Sequence, residues 1–368
     1  MKKILFAAYS LELGGIERAL VSLINNLIIK GYDITLVLEK KQGILLKELD
    51  KNIKIVEYLP NKSKNIIKRK TINLFKRIKM IFKFKNKFDF SACFATYSIP
   101  ASFIARISSR NSCLWGHAAY LALFNGNIDE MKKFFIDRKY NKFKNIIFVS
   151  EEGKNSFIRV FPDMEQRTII CNNLIDYKKI KKMSNEIINL KKDSNVTTFL
   201  NVSRHDEKQK KISRIIKACK ILKEDGEKFR VLLVGDGEDM NYYKDMVKQY
   251  NLNDNIIFLG KKQNPYPYFK ISDCVILTSD YEGYPVVFLE SFILNVPIIT
   301  TKVSDYKDIQ NKFGYITTNN IEDISEKMKL FIKEGYKIND NFNPKKYNDN
   351  IIRTLEKIFR GDKWKRSA

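Results

Sequence analysis

Two series of short, uninterrupted apolar runs, each alternating with helix-length segments, constrain this chain more than any other feature. The first series opens at residues 4–9 and the second at 197–202. Runs of this kind suit parallel strands covered on both faces, and their alternation with helices predicts open α/β sheets. In the first series, strand 4–9 leads into a loop holding Gly14-Gly15. A helix over 16–30 follows, with Ile16, Leu20, Leu23 and Leu27 at helical spacing. Gly31 stops it and strand 34–38 comes next, which makes a βαβ unit with a glycine-rich first turn. Further strands are predicted at 53–58, 90–95, 112–115 and 146–149. The second series reads strand 197–202, helix 212–224, strand 230–234, helix 240–250, strand 256–259, helix 267–272, strand 274–277, helix 286–294 and strand 297–300.

A chain of 368 residues is long for one domain and suits two. With 44% hydrophobic and 30% charged residues it can bury real cores. We expect an N-terminal Rossmann-like domain over 1–185, a lysine-rich polar link over 177–195 and a C-terminal Rossmann-like domain over 195–343. A C-terminal helix within 344–368 is expected to pack back on the first domain, ending in a frayed tail at 361–368. Ligands of open α/β sheets sit outside the carboxyl ends of the strands. The loops at 9–15, 203–211, 235–237 and 279–285, with His117, are therefore expected to converge on a cleft between two doubly wound domains.

The five cysteines are scattered and form no CxxC pair, which fits small core residues in a reducing, cytoplasmic compartment. The apolar run after Met1-Lys2-Lys3 is too short for a signal peptide and reads as the first strand. No stretch approaches the length of apolar residues needed for a spanning helix. The formal net charge of +25 points to nucleic acid or an anionic membrane surface as a partner.

The segment Ser279-Asp280-Tyr281-Glu282-Gly283-Tyr284-Pro285-Val286-Val287-Phe288-Leu289-Glu290-Ser291 carries the most chemistry. Gly283 lets backbone approach a ligand closely, and Pro285 suits the start of a helix. The amides of Val286 and Val287 then point out of a helix N-terminus, which favours an anion such as phosphate. Glu290, eight residues after Glu282 and set among Phe288, Leu289 and Phe292, is costly to bury without a partner. A second segment, Val202-Ser203-Arg204-His205-Asp206-Glu207-Lys208-Gln209-Lys210-Lys211, sets an arginine and a lysine beyond a strand end. Together they can clamp a diphosphate by charge-assisted bonds. Gly14-Gly15-Ile16-Glu17 is a third signal, again an anion-favouring helix start. His117, one of two histidines, follows a predicted strand end.

At these residues the chain resembles the retaining glycosyltransferases of family 4, which have the two-domain GT-B fold. Their Glu-x7-Glu pair corresponds to Glu282 and Glu290, and their "GxPvv" strand to Asn295-Val296-Pro297-Ile298-Ile299. Asn295 stands where glycine is usual, a change expected to touch a helix cap rather than chemistry. The resemblance implies that Glu282 contacts the donor sugar, that Glu290 holds the ribose hydroxyls, and that Arg204 and Lys210 grip the diphosphate. The glycine usual after that lysine is Lys211 here, and Lys208 competes for the role. It further implies that Gly14 and Gly15 lie near the donor phosphates and that His117 lies near the reaction centre. Gly235-Asp236-Gly237 and Leu259-Gly260-Lys261 would border the nucleotide, as would Gly283, Tyr284, Val286 and Val287. Asn173-Leu174-Ile175-Asp176 would close the first domain. Enzymes of this fold generally work without a metal, so no metal and no cofactor are expected beside the nucleotide-sugar, a UDP-sugar in the first instance. The carboxylates of Asp236-Gly237-Glu238-Asp239 suit a turn beside the nucleotide better than a cation site.

The implied activity is retaining sugar transfer to a saccharide or lipid-linked saccharide in bacterial surface polysaccharide synthesis, such as capsule, O-antigen or lipopolysaccharide. Two readings compete with it. One is a nucleotide-sugar 2-epimerase of the same fold, which wants more acid–base residues than two histidines provide. The other is a basic nucleic-acid-binding protein, for which no recognition motif is present. The charge concentrates instead at 61–88, where eleven Lys or Arg and no acid are interleaved with large apolar residues. This pattern predicts a basic amphipathic helix on an anionic leaflet. Lys68, Arg69, Lys76, Arg77 and Lys83 are its candidate membrane-surface residues, and the expected location is peripheral, on the inner face of the cytoplasmic membrane.

Overall fold

The computed structural model describes residues 1–362, so 363–368 of the expected tail lie outside the described residues. The chain divides into two compact units, one formed by residues 1–175 and the segment from 345 onward, the other by 176–344. The division falls ten residues before the boundary expected at 185.

The first unit runs β1 (Lys3–Ala8), α1 (Gly15–Ile29), β2 (Asp33–Leu38), β3 (Lys54–Glu57), α2 (Ile66–Phe84), β4 (Phe90–Cys93), α3 (Ile99–Ser108), β5 (Ser112–Gly116), α4 (Tyr120–Leu123), α5 (Ile128–Asp137), β6 (Asn145–Phe148), α6 (Glu151–Val160) and β7 (Thr168–Ile170). Its seven strands pair in parallel in the order β3-β2-β1-β4-β5-β6-β7. The order reverses between β1 and β4, the point where doubly wound sheets hold their ligands. Leu5, Ala7, Cys93, Leu114 and Phe148 of the strands pack with Met80, Phe84 and Phe157 of the helices in one core.

The second unit runs α7 (Tyr177–Met183), β8 (Thr197–Val202), α8 (Ile212–Glu224), β9 (Phe229–Val234), α9 (Met240–Gln249), β10 (Ile256–Gly260), α10 (Tyr266–Lys270), β11 (Cys274–Leu277), α11 (Val286–Leu294), β12 (Ile298–Thr301), β13 (Gly314–Thr317) and α12 (Ile321–Glu334). Its six parallel strands follow the order β10-β9-β8-β11-β12-β13, reversing between β8 and β11. The two sheets repeat one design, so the chain is built of two Rossmann-like units, the GT-B class of α/β architecture.

Helix α13 (Pro344–Arg360) belongs to the first unit from Lys345 onward. Phe359 lies 4.7 Å from Phe90 and 5.5 Å from Tyr32, ring to ring. The Asn348 side chain closes both backbone bonds of Ile175, at 3.1 and 2.8 Å, and Tyr347 donates to the Asn173 carbonyl at 3.2 Å.

The stretch expected to be a link at 177–195 begins with α7. Asp176 caps this helix through the Lys179 amide, Ile180 is buried, and Asn264 donates to the Met183 carbonyl at 2.9 Å. The lysines at 178, 179, 181 and 182 mask that one apolar anchor in the sequence. The edge strands β7 and β13 and helices α3, α4, α5, α6 and α12 are also additions to the predicted elements. All five cysteines are buried free thiols, and burial pushes Cys93 and Cys113 up to about 12. Among the described residues no helix is long and apolar enough to cross a membrane.

Candidate donor site

In the second unit the reversal point brings three loops to one edge of the sheet. The loop after β8 carries Arg204 to Lys210, the loop after β11 carries Ser279 to Pro285, and the turn after β9 carries Gly235. Glu282 is 6% exposed and held from several directions. Its Oε1 accepts from the Lys210 ammonium and from the Ser279 hydroxyl at 2.7 Å, and its Oε2 accepts from Gln209 at 3.4 Å. Ser304 donates to its carbonyl at 2.7 Å, and Gln209 donates to the Tyr281 carbonyl at 3.1 Å. The carboxylate thus has a fixed rotamer and a cation beside it.

This geometry separates the two candidate lysines. Lys210 reaches Glu282, whereas Lys208 is exposed. Arg204 stays open to solvent, its side chain 63% exposed, held by Asp206 at 3.0 Å and Gln209 at 3.1 Å. Lys211, where the resembled family has glycine, adopts φ +51 at the N-cap of α8. That left-handed conformation explains the preference for glycine there. Asn295 is the same case at the C-cap of α11, with φ +57, a conformation asparagine tolerates.

Helix α11 begins at Val286 with Pro285 as N-cap and no side-chain cap; the Phe288 amide donates to the Pro285 carbonyl at 3.0 Å, which leaves the amides of Val286 and Val287 for a ligand. Apart from Val286 and Leu294 its residues are all buried, Glu290 among them at 7% exposure, and the Tyr266 hydroxyl donates to Glu290 Oε1 at 3.2 Å. Tyr284 is also buried in the loop, with Gly283 before it. The sequence reading did not single out Tyr266, Ser279 or Gln209. Gln209 reaches Glu282 from a distant loop, Tyr266 reaches Glu290 from α10, and Ser279 acts within the Glu282 loop itself.

Gly235 and Gly237 answer to packing. A Cβ on Gly235, whose φ is +151, would stand 1.8 Å from the Ser203 carbonyl oxygen, and one on Gly237 would stand 2.2 Å from that of His205. The β8 and β9 loops can approach so closely only without side chains there. The backbone of this turn also encloses His205, whose pKa burial lowers and whose Nδ1 lies 3.3 Å from the Met240 sulfur. The carboxylates of Asp206, Glu238 and Asp239 gather within 4.8 Å of one another. Asp206 is paired with Arg204, and Asp239 accepts from the Glu207 amide at 2.7 Å.

In the first unit, α1 starts at Gly15 after an N-cap Gly14 that has no side-chain cap. A Cβ on Gly14 would fall 2.2 Å from Glu17 Oε2. Burial raises the Glu17 pKa, and the Tyr97 hydroxyl donates to this carboxylate at 3.0 Å. His117 follows β5, its ring 4.3 Å from Phe94. Burial lowers its pKa to about 3, so the imidazole is neutral at physiological pH. Its Nε2 is covered and has no hydrogen-bond partner among the described residues.

Residues 182–349 match the family model of glycosyl transferases group 1. Over 168 residues the chain is 32% identical to an uncharacterized glycosyltransferase of Methanocaldococcus jannaschii, covering 44% of this chain and 41% of that one. The match therefore spans about two fifths of that relative's length. The O-antigen biosynthesis glycosyltransferase WbnH of Escherichia coli is 23% identical over 90% of each chain. Among solved structures, Anabaena HepE in complex with UDP and glucose superposes with a TM-score of 0.75 at 16% identity, covering 97% of this chain and all of that one.

Proposed function

We propose, from the match of residues 182–349 to the family model of glycosyl transferases group 1, that this chain moves a sugar from a UDP-sugar to a saccharide acceptor with retention of anomeric configuration. The observation that carries the reading is the reversal-point edge of the second unit. There a buried carboxylate, Glu282, is locked beside Lys210, and a second, Glu290, lies in the middle of a helix whose start carries no side-chain cap. Glu290 accepts from the ribose hydroxyls. Arg204 and Lys210 bind the diphosphate, aided by the amides of Val286 and Val287. Gly283 gives the nucleotide close access to backbone, Gly235 lets the β8 and β9 loops close up beside it, Tyr284 lines the loop after β11, and Glu282 orients the donor sugar. In the first unit the turn at Gly14 and Gly15 takes an anion, and the free nitrogen of His117 takes a sugar hydroxyl.

The bond from the anomeric carbon to the diphosphate oxygen breaks while a bond to the acceptor oxygen forms on the same face. The acceptor proton goes to the leaving phosphate oxygen. The protein's contribution is positioning and stabilisation of the departing charge. The cations that meet it are Arg204 and Lys210, so this reading needs no divalent metal and no cofactor. The similarity to an O-antigen enzyme along 90% of the chain supports a bacterial surface polysaccharide as the destination, be it capsule, O-antigen or lipopolysaccharide. The reading includes an acceptor presented at the inner, anionic face of the cytoplasmic membrane.

A thermal-shift series with UDP, GDP, ADP and their sugars tests it. A ligand at about 100 times its Kd stabilises the native state by about 2.7 kcal/mol. UDP and at least one UDP-sugar are expected to raise the melting temperature. No shift with any nucleotide overturns the reading.

A further inference from the structure

Helix α2 carries an apolar stripe on its solvent side. Met80 and Phe84 face the core of the first unit, at 8% and 4% exposure. Ile67, Leu74, Phe75, Ile78 and Phe82 are 40–78% exposed. At about 100° per residue these five fall within an arc of about 100°, roughly opposite Met80 and Phe84. The core therefore does not account for them. Such an apolar face, interrupted within its arc only by Thr71, marks an interaction surface.

The surroundings of the stripe say what covers it. Lys68, Lys79 and Lys83 flank one edge and Lys70 the other, and no acid occurs anywhere in 61–88. The partner must bury large apolar groups and supply negative charge along both margins. A second copy of the same face would set lysines against lysines. A nucleic acid would meet phosphates at the margins but leave the aromatic stripe without apolar cover. A leaflet of anionic lipid satisfies both demands. The helix is already formed and fixed on its inner side. Asn65 caps it through the Lys68 amide at 3.0 Å, and Asn73 exchanges two hydrogen bonds with the Asn61 backbone at 2.7 and 3.1 Å. Lys76 donates to the Leu59 carbonyl at 2.7 Å, and Arg77 lies over the Phe103 ring at 5.5 Å. These last two cations serve the fold as well as the surface.

We propose that α2 is the membrane-docking element of this protein. It lies in the plane of an anionic leaflet with Ile67, Leu74, Phe75, Ile78 and Phe82 among the acyl chains and Lys68, Lys70, Lys79 and Lys83 at the headgroups. The assignment rests on the membrane part of the function proposed above and specifies the surface that makes the contact.

The full chain is mixed with vesicles of phosphatidylglycerol or of phosphatidylcholine and sedimented. Two variants accompany it, Phe75→Ser with Phe82→Ser, and Lys68→Gln with Lys79→Gln and Lys83→Gln. The native chain is expected to bind the anionic vesicles only, less so at high salt. Each variant should bind them at least about tenfold more weakly. Melting temperature and the shift produced by UDP should stay at native values, which separates failure of docking from failure of the donor reading. Equal binding to both vesicle types, or native binding by the serine variant, overturns the proposal. So does a dimer in solution, or binding to duplex DNA, that the serine variant abolishes while vesicle binding persists.

Discussion

Lys210 and Glu282, 72 residues apart in the chain, form an ion pair at the reversal edge of the second sheet, with side chains 17% and 8% exposed. The contact ties the loop after β8 to the loop after β11. Ser279 and Gln209 complete the carboxylate's partners. A ligand diphosphate at this edge would share Lys210 with Glu282, so the cation is positioned before any ligand arrives.

Removing Lys210 leaves a buried carboxylate short of its cation. Lys210→Ala is expected to lower stability by roughly 1–3 kcal/mol, below the 3–5 of a fully buried pair because the ammonium keeps some water. Turnover is expected to fall about 100-fold or more, as when an electrostatic donor to a developing charge is deleted. Arg204 is the contrasting case. It is 63% exposed, so Arg204→Ala should leave urea unfolding almost unchanged while turnover drops. A chelator should not abolish the activity of the native chain, whereas complete loss restored by a divalent ion would mean that these cations do not suffice. Rates of sugar transfer beside unfolding midpoints check all three statements.

Glu290 is predicted to act on the nucleotide and not on the sugar. Glu290→Ala removes a charged acceptor worth about 1.5–3 kcal/mol, or roughly 10–100-fold in the Kd for UDP. Tyr266 donates to Glu290 Oε1, so Tyr266→Phe is expected to weaken UDP by a smaller factor, through loss of orientation alone. Isothermal titration of the free nucleotide is the measurement. Native affinity in a folded Glu290→Ala protein would remove the ribose assignment.

Most strands, with helices α1, α2, α8 to α11 and α13, were legible because parallel strands covered on both faces read as near-continuous apolar runs and the helices between them keep a helical apolar period. The apolar run at 274–277 coincides with β11 to the residue, and the mixed segment Thr197-Thr198-Phe199-Leu200-Asn201-Val202 with β8. Helix α7 was not legible, since a single buried Ile180 among lysines leaves no apolar period to read. The candidate site was readable where its residues share one segment, as Glu282 and Glu290 do. It was not where separate elements meet through folding, as with Tyr266 of α10 on Glu290 of α11 and Gln209 on Glu282. The glycines after β9 were visible, but their packing role appears only with the carbonyls of Ser203 and His205 in place. The basic segment at 61–88 was readable as an amphipathic helix. That its apolar stripe faces solvent follows only from the burial of Met80 and Phe84 on the other side.

The stereochemical prediction needs no variant. If the acceptor attacks the face from which the diphosphate leaves, the product glycoside keeps the donor's anomeric configuration. The anomeric proton coupling in the NMR spectrum of the product reads this directly. An inverted linkage would require a general base on the opposite face of the sugar and would overturn the same-face attack proposed above.

His117 links the first unit to pH. Burial lowers its pKa to about 3, against about 6.5 in an unfolded chain, so the folded state prefers the neutral ring. A depressed histidine contributes stability that is fully present above the unfolded value and is lost as pH falls from about 6.5 towards 3. Within that window the slope is at most about 1.4 kcal/mol per pH unit, so acidification to pH 5 costs up to about 2 kcal/mol from this group. His117→Asn removes the titration while keeping a polar side chain. The native protein should therefore lose stability relative to the variant between pH 6.5 and 4, with no relative change above pH 7.5. His205, also depressed, is common to both proteins and cancels in the difference. Urea midpoints for the two proteins at pH 8, 6.5, 5 and 4 provide the test, and parallel curves throughout would mean that His117 takes up its proton in the folded protein as readily as in the unfolded chain.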